Sequence, residues 1–290
     1  MRVLIVGCGY VGLPLGAELL RQGHAVFGLR RSGADELRAA GIGPLRADVT
    51  RVETLATLPR DFDWVVNCAA SGGGSAEDYR RLYWDGNRNL NSWLAEAPPK
   101  KFVYTSSTSV YGQDDGAIVT ETSPADPETP TAQVLVETEK LLLAAARGGF
   151  PAVIVRAAGI YGPGRGHACK QFLRGEARLE GDGLRFMNMI HRDDLAGAII
   201  AALARGEPGE IYNAADDEPV TQLAFFTWLA AELRRALPPQ AAADEESWRK
   251  RGLTNKRVSN TKLRTRLGYE FKYPDFRAGY RALWAEGLKP

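Results

Sequence analysis

The segment Gly7-Cys8-Gly9-Tyr10-Val11-Gly12 constrains the fold more than any other part of the chain. It follows a buried-strand pattern at residues 3–6 and opens an apolar helical pattern at 13–22, which Gly23 closes as a C-cap. Gly7 permits a tight strand-to-helix turn, Gly9 presents no side chain to an approaching phosphate, and Gly12 lets the helix lie close to the sheet. The helix N-terminus adds free N–H groups and the positive end of a dipole. In this context the spacing predicts a dinucleotide held at its pyrophosphate by Gly7, Gly9, Tyr10, Val11 and Gly12.

The following segments keep the strand–helix rhythm. Strand patterns recur at residues 25–29, 45–48, 64–68, 102–106 and 151–156, with helical patterns at 35–40, 78–96 and 134–147. Such alternation means an α/β protein with a doubly wound parallel sheet of the Rossmann type, binding its ligand outside the carboxyl ends of the strands. The second half is less regular. Residues 161–183 are rich in Gly and Arg and read as loops; helices are expected at 193–204, 223–233, 261–267 and 276–284, and a strand at 210–213. Residues 237–246, with Pro238-Pro239 before a run of acids, read as an excursion or lid. The expected division is a dinucleotide-binding domain at 1–160 with a return segment near 190–215, and a smaller substrate-binding region from 161–189 and 216–290.

Composition narrows the partners. With 37 basic and 35 acidic residues the formal net charge is +2, too balanced for a nucleic-acid footprint. The basic clusters at 249–251 and 256–266 read as solvated surface. The three cysteines, Cys8, Cys68 and Cys169, form no CxxC pair, which argues against a disulfide framework or a metal site and fits a reducing cytoplasm. Residues 1–20 have the outline of a secretory signal, but Gly7, Gly9, Gly12 and Pro14 break the apolar run and Glu18 closes it. No other stretch is long and apolar enough to span a bilayer.

The end of the second strand bears on which dinucleotide binds. An NAD-preferring chain usually carries an acid there, on the ribose 2′-hydroxyl. Here Arg30, Arg31 and Ser32 occupy the position. A guanidinium binds a 2′-phosphate bidentately where a carboxylate repels it, so NADP is favoured and NAD is the second choice.

Several further motifs stand in order along the chain. Asp48-Val49 follows the third strand and Asn67-Cys68-Ala69-Ala70 ends the fourth; Tyr104-Thr105-Ser106-Ser107-Thr108-Ser109-Val110-Tyr111-Gly112 covers the fifth. Arg156-Ala157-Ala158-Gly159-Ile160-Tyr161-Gly162-Pro163-Gly164 and Ile190-His191-Arg192-Asp193-Asp194-Leu195-Ala196 come later. Together they resemble the extended short-chain dehydrogenase/reductases of the NAD-dependent epimerase/dehydratase type. The resemblance implies that Asp48 and Val49 border the adenine, that Cys68, Ala69, Ala70 and Ser106 line the cofactor site, and that Ser107 holds a substrate oxygen.

It also implies a Tyr and a Lys four residues apart on one helix face, the Lys lowering the Tyr pKa for proton transfer. Aligned on Glu139, these positions hold Thr131 and Leu135, and no Tyr lies between Ala125 and Phe150. Lys140 is too far along the helix to substitute. The family's helix asparagine falls at Tyr83 by the same reading. The chain therefore resembles an atypical member, without the Tyr-x-x-x-Lys dyad. Tyr111 and Tyr161 are candidate proton donors, and Tyr161, Arg165 and His167 candidate substrate contacts. Against these stand plainer readings: packing for both tyrosines, an exposed loop for His167, an ordering role for His191, and a solvated helix surface for Glu137 and Glu139. Cys8 reads as a small buried side chain rather than a nucleophile.

Two functions follow. One is NADP-dependent reduction or oxidation of a small carbonyl or sugar-like substrate, Ser107 polarising the carbonyl and water or a tyrosine supplying the proton. The alternative is a non-catalytic NADP-binding redox sensor or regulator. Arg165, Arg174, Arg185 and Arg192 suit either an anionic substrate group or surface ion pairs. A monomer or a homodimer paired through helices 78–96 and 134–147 is expected.

Overall fold

The computed structural model describes residues 1–241 and 254–288. In chain order these form β1 (Arg2–Val6), α1 (Gly12–Arg21), β2 (Ala25–Arg30), α2 (Ala34–Ala39), β3 (Gly43–Arg46) and β4 (Trp64–Asn67). Next come α3 (Ala76–Tyr79), a π-helical turn (Arg80–Asp85), α4 (Gly86–Leu94), β5 (Lys101–Ser107), β6 (Ala117–Val119), α5 (Pro130–Arg147) and β7 (Ala152–Ala157). β8 (Gly159–Tyr161), α6 (His167–Arg174), β9 (Phe186–Met187), β10 (Met189–His191), α7 (Arg192–Arg205) and β11 (Ile211–Ala214) follow. The chain ends with β12 (Val220–Thr221), α8 (Gln222–Leu233), β13 (Lys256–Val258), α9 (Thr261–Leu267) and α10 (Phe276–Ala285).

Seven strands make one sheet in the order β3-β2-β1-β4-β5-β7-β11, every neighbouring pair parallel. The chain winds outward from β1 in one direction through β2 and β3, then resumes on the other side at β4. The crevice between the carboxyl ends of β1 and β4 is the switch point of the fold. Both faces are covered, which is why the strands read as near-continuous apolar runs. Val3, Ile5, Val103, Val153 and Val155 pack under α1 and α7 through Leu15, Leu19, Leu195 and Ile199. Leu4, Val65, Phe102, Tyr104 and Ile154 pack under α4 and α5 through Leu90, Trp93 and Leu142. A third core joins Tyr161, Phe172, Phe225, Phe226, Phe276 and Tyr280 beside the carboxyl edge, outside the sheet.

The C-terminal segment does not sit wholly in that smaller lobe. Val258, Leu263 and Leu267 join the sheet's own core, and β13 pairs with β6 through Lys256↔Ala117. β3 begins two residues before the expected 45–48, because Gly43 aligns with Phe27 of β2; Asp48 then falls in the loop beyond. Part of the expected excursion at 237–246 is stitched down: Leu179 N–H donates to Pro239 O at 2.9 Å and Ala241 N–H to Leu179 O at 2.7 Å. Residues 242–246 and the basic cluster at 249–251 lie outside the described residues. Among the described residues no helix is long and apolar enough to cross a membrane.

Candidate active site

The three glycines of the first turn occupy three different environments. Gly7 has φ +74°, and a Cβ there would stand 2.3 Å from the Ala69 Cα, so only glycine lets the ends of β1 and β4 meet. A Cβ on Gly9 would meet nothing nearer than Gly7 O at 3.9 Å; this side of the turn is open toward the crevice. A Cβ on Gly12 would press on Ile5 Cγ2 at 3.0 Å and Cys68 Sγ at 3.4 Å, the close helix–sheet contact that the spacing predicts. Leu13 N–H is taken by Gly9 O at 2.8 Å and Pro14 has none to give, whereas the N–H groups of Tyr10, Val11 and Gly12 have no acceptor among the described residues and stay available to a ligand. The residues therefore fit a pyrophosphate: an open flank, free donors and the positive end of a 10-residue helix. Cys8 is buried and its thiol is pushed up to about 12 by desolvation, so it stays protonated.

At the far end of β2, Arg30 donates to Glu36 Oε2 at 2.5 Å. Arg31 and Ser32 are exposed, with no side-chain partner among the described residues. The register Arg30↔Arg46 brings a further exposed guanidinium to the same corner, from β3. Sequence reasoning missed Arg46, since only pairing reveals which β3 residue stands beside Arg30. Asp48 turns its carboxylate inward to Thr50, N–H at 3.0 Å and Oγ1 at 2.8 Å. Val49 packs against Gly86 at the head of α4. At the end of β4, Cys68 and Ala69 are half-buried and Ala70 is exposed.

The end of β5 separates its two serines by alternation. Ser106 is buried and donates to Glu139 Oε1 at 2.6 Å. Ser107 is half-buried and accepts the Ser109 N–H at 3.1 Å, capping the turn that follows. A hydroxyl has one donor and two lone pairs, so Ser107 keeps its proton and one lone pair for a ligand.

The two tyrosine candidates for proton donation do not reach the crevice. Tyr111 is fully buried, donates to Asn213 Oδ1 at 2.8 Å and accepts from Arg156 at 2.8 Å. Tyr161 is 2% exposed, stacked on Tyr280 at 4.8 Å, with its hydroxyl against Asp275 O at 3.4 Å. Burial raises the pKa of both phenols above the ordinary 10.0. Tyr111 sits in the core of the sheet and Tyr161 in the core of the smaller lobe. His167 starts α6 and is exposed.

Glu139 corrects a second expectation. It is 3% exposed and binds Arg156 of β7 at 2.6 Å, whereas Glu137 is exposed and pairs with Arg80. Thr131, Leu135 and Glu139 follow one another on successive turns of α5, with Leu135 buried. α5 carries no tyrosine, and its lysine is Lys140.

Sequence reasoning also missed Asn87. The π turn ahead of α4 shifts the register of that face, as such insertions do near functional sites. Asn87 is thereby fully buried and accepts the Asn67 side-chain N–H at 3.0 Å, at the end of β4. Tyr83, placed by sequence at the asparagine position, accepts the Ser71 N–H at 3.1 Å.

Other buried polar groups brace the site. His191 caps α7, its Nδ1 accepting the Asp193 N–H, and burial lowers its pKa to about 4. Asp194 accepts from Tyr269 and from the N–H groups of Lys272 and Tyr273. Lys256 is 6% exposed and donates to Tyr111 O at 2.8 Å and Thr254 Oγ1 at 2.9 Å. Arg185 pairs with Glu180, and Arg174 with Glu176 at 3.9 Å. Among the described residues no group of three or more His, Cys, Asp or Glu is arranged to hold a metal ion.

Comparison with known proteins agrees with this geometry. Residues 3–215 match the model of the NAD dependent epimerase/dehydratase family. The chain is 32% identical over 282 residues to protein YeeZ of Escherichia coli K12, covering 94% of this chain and 97% of YeeZ. A functionally unknown conserved protein from Silicibacter pomeroyi superposes with a TM-score of 0.81 at 29% identity, over 99% of each chain. The UDP-glucose 4-epimerase of Thermus thermophilus, solved in complex with NAD, has a TM-score of 0.82 at 25% identity, over 97% of each chain.

Proposed function

This chain belongs to the NAD dependent epimerase/dehydratase family, and from that premise we propose that it is an NADP-dependent oxidoreductase acting on a small carbonyl or sugar-like substrate. The observation that carries the reading is the crevice itself. The open flank of Gly9 and the spare hydrogen-bonding capacity of Ser107 lie at the carboxyl ends of strands in one sheet. The NAD-bound epimerase of the same fold supports a nicotinamide dinucleotide here.

Preference for NADP rests on Arg30, Arg31 and Arg46 at the end of β2 and β3. Glu36 opposes it in part, because Arg30 must leave or share that carboxylate to meet a 2′-phosphate. Arg31 and Arg46 have no such competitor among the described residues. The dinucleotide, when bound, supplies or accepts hydride. Ser107 then holds the substrate oxygen and polarises the carbonyl, while the proton comes from water, since the tyrosines of the sequence reading are buried elsewhere. Three free thiols suit a reducing cytoplasm.

Equilibrium binding of NADPH and NADH to the full chain tests the cofactor reading. NADPH should bind about tenfold or more tightly, the gain expected of one charge-assisted contact. The triple substitution Arg30→Ala, Arg31→Ala, Arg46→Ala should erase the preference without preventing NADH binding. Equal affinities in the unsubstituted protein would remove it. NADPH oxidation with a panel of small carbonyls tests the chemistry.

A further inference from the structure

Arg165 was expected to meet substrate, yet it stands over the cofactor turn. Its guanidinium lies 5.3 Å from the centre of the Tyr10 ring, and Tyr10 is the middle residue of the phosphate-binding turn. Its backbone is held firmly. Gly162 N–H donates to Arg165 O at 2.8 Å and Arg165 N–H to Gly162 O at 3.0 Å, closing a hairpin over Pro163 and Gly164. Lys170 Nζ donates to Gly164 O at 2.7 Å and fixes the tip. The hairpin rests on the turn so closely that a Cβ at Gly162 would stand 3.0 Å from the Tyr10 hydroxyl and 3.4 Å from His191 Nε2. Both of those atoms are buried and without a hydrogen-bond partner.

The head of Arg165 is free where its backbone is not. Among the described residues it has no ion pair and no side-chain hydrogen bond, and it is exposed. Arg192, also over the Tyr10 ring at 5.4 Å, is by contrast tied to Asp193 at 2.9 Å. The charge of Arg165 acts on Tyr10 and also on Tyr83, whose hydroxyl holds Ser71 beyond the end of β4. It thus stands within electrostatic reach of both walls of the crevice. A fixed stem with an uncommitted guanidinium, facing a helix N-terminus, suits a doubly charged anion bound from the opposite side.

We infer that Arg165 is a cofactor residue: carried by the closed hairpin 162–165 of the smaller lobe, it binds the pyrophosphate of the dinucleotide across the crevice from the glycine turn. This rests on the dinucleotide reading proposed above. It makes the two lobes share one ligand, and it gives the turn a cation that the glycine motif itself lacks.

Isothermal titration of the full-length protein with NADPH and with NADH provides the test. Arg165→Ala should weaken both by about tenfold, leaving their ratio unchanged, because both carry the same pyrophosphate. The affinity of the unsubstituted protein should fall more steeply with salt than that of Arg165→Ala. Arg174→Ala removes an equal charge from the same lobe and should bind as the unsubstituted protein does. Circular dichroism should show an unchanged fold for Arg165→Ala, whose side chain makes no hydrogen bond. Unaltered affinity in Arg165→Ala would overturn the assignment. So would a loss confined to NADPH, which would place the guanidinium on the 2′-phosphate instead. An unsubstituted chain that binds neither nucleotide overturns the dinucleotide reading, and this assignment with it, before any substitution is made.

Discussion

Asp216 carries a carboxyl group into a place where nothing neutralises it. It is 2% exposed, one oxygen accepts the Glu218 N–H at 3.3 Å, and the other has no partner. Burial therefore raises its pKa well above the ordinary 3.8. The stability this group supports is fully present below 3.8 and is lost as pH rises toward the folded value. Asp216→Asn does not titrate. It should be more stable than the unsubstituted protein at pH 8, where folding disfavours the buried carboxylate. Thermal melts read this, since each kcal/mol gained raises the melting temperature by roughly 2–4 °C. The gain should vanish near pH 4, and an equal gain at both pH values would show that ionisation is not the cause. Nothing in Asp216-Asp217 distinguishes these acids by sequence; only the fold buries the first and pairs the second with Arg264 at 2.6 Å. Glu137 and Glu139 repeat the lesson, since the partner that buries Glu139 comes from β7. The glycine turn was legible because a backbone constraint is local, whereas a buried charge depends on partners far along the chain.

At the scale of the element, the turn between β1 and α1 makes two demands on two neighbouring glycines. Gly7→Ala would place a methyl group 2.3 Å from the backbone of Ala69 and force a side chain into a positive φ. The junction of β1 and β4 must then open. The cost should be at least about 2–4 kcal/mol, the range of a strained backbone with overpacking. Gly9→Ala meets only open space. It should leave thermal stability within about 0.5 kcal/mol, as exposed substitutions do, yet weaken dinucleotide binding by intruding where the phosphate approaches. Denaturant melts and nucleotide titrations on both variants separate the effects. A stable Gly7→Ala, or a Gly9→Ala that binds normally, would contradict these assignments. Elements with their own periodicity, such as α5 and α7, were readable from sequence. The pairs β6–β13 and β9–β12 were not, since strands of two or three residues carry too little alternation and their partners are distant. The π turn escaped for a related reason, as its extra residue breaks the 3.6-residue count.

Taken whole, the molecule is more interlocked than its motifs imply. The family match ends at residue 215, which invites the view that residues 1–215 form a self-sufficient dinucleotide-binding unit. The packing argues otherwise. Val258, Leu263 and Leu267 are 2%, 0% and 0% exposed within the core of the sheet. Lys256 reaches back to Tyr111, and Tyr269 with the backbone of Lys272 and Tyr273 encloses Asp194 at the head of α7. Three buried aliphatic side chains are worth about 1.5–3 kcal/mol each. Their loss, about 5–9 kcal/mol, is comparable with the whole net stability of a domain, about 5–15 kcal/mol. Asp194 would also lose three donors at once. A fragment ending at 215 should therefore lack a cooperative thermal transition and be rapidly cleaved by protease, while the full chain melts in one step. Supplying residues 254–288 as a separate peptide should restore part of the protection, because the missing contacts are packing contacts that need no covalent link. A fragment that melts cooperatively above about 45 °C, the lower end for mesophilic domains, would show that the sheet closes its core without the C-terminal segment.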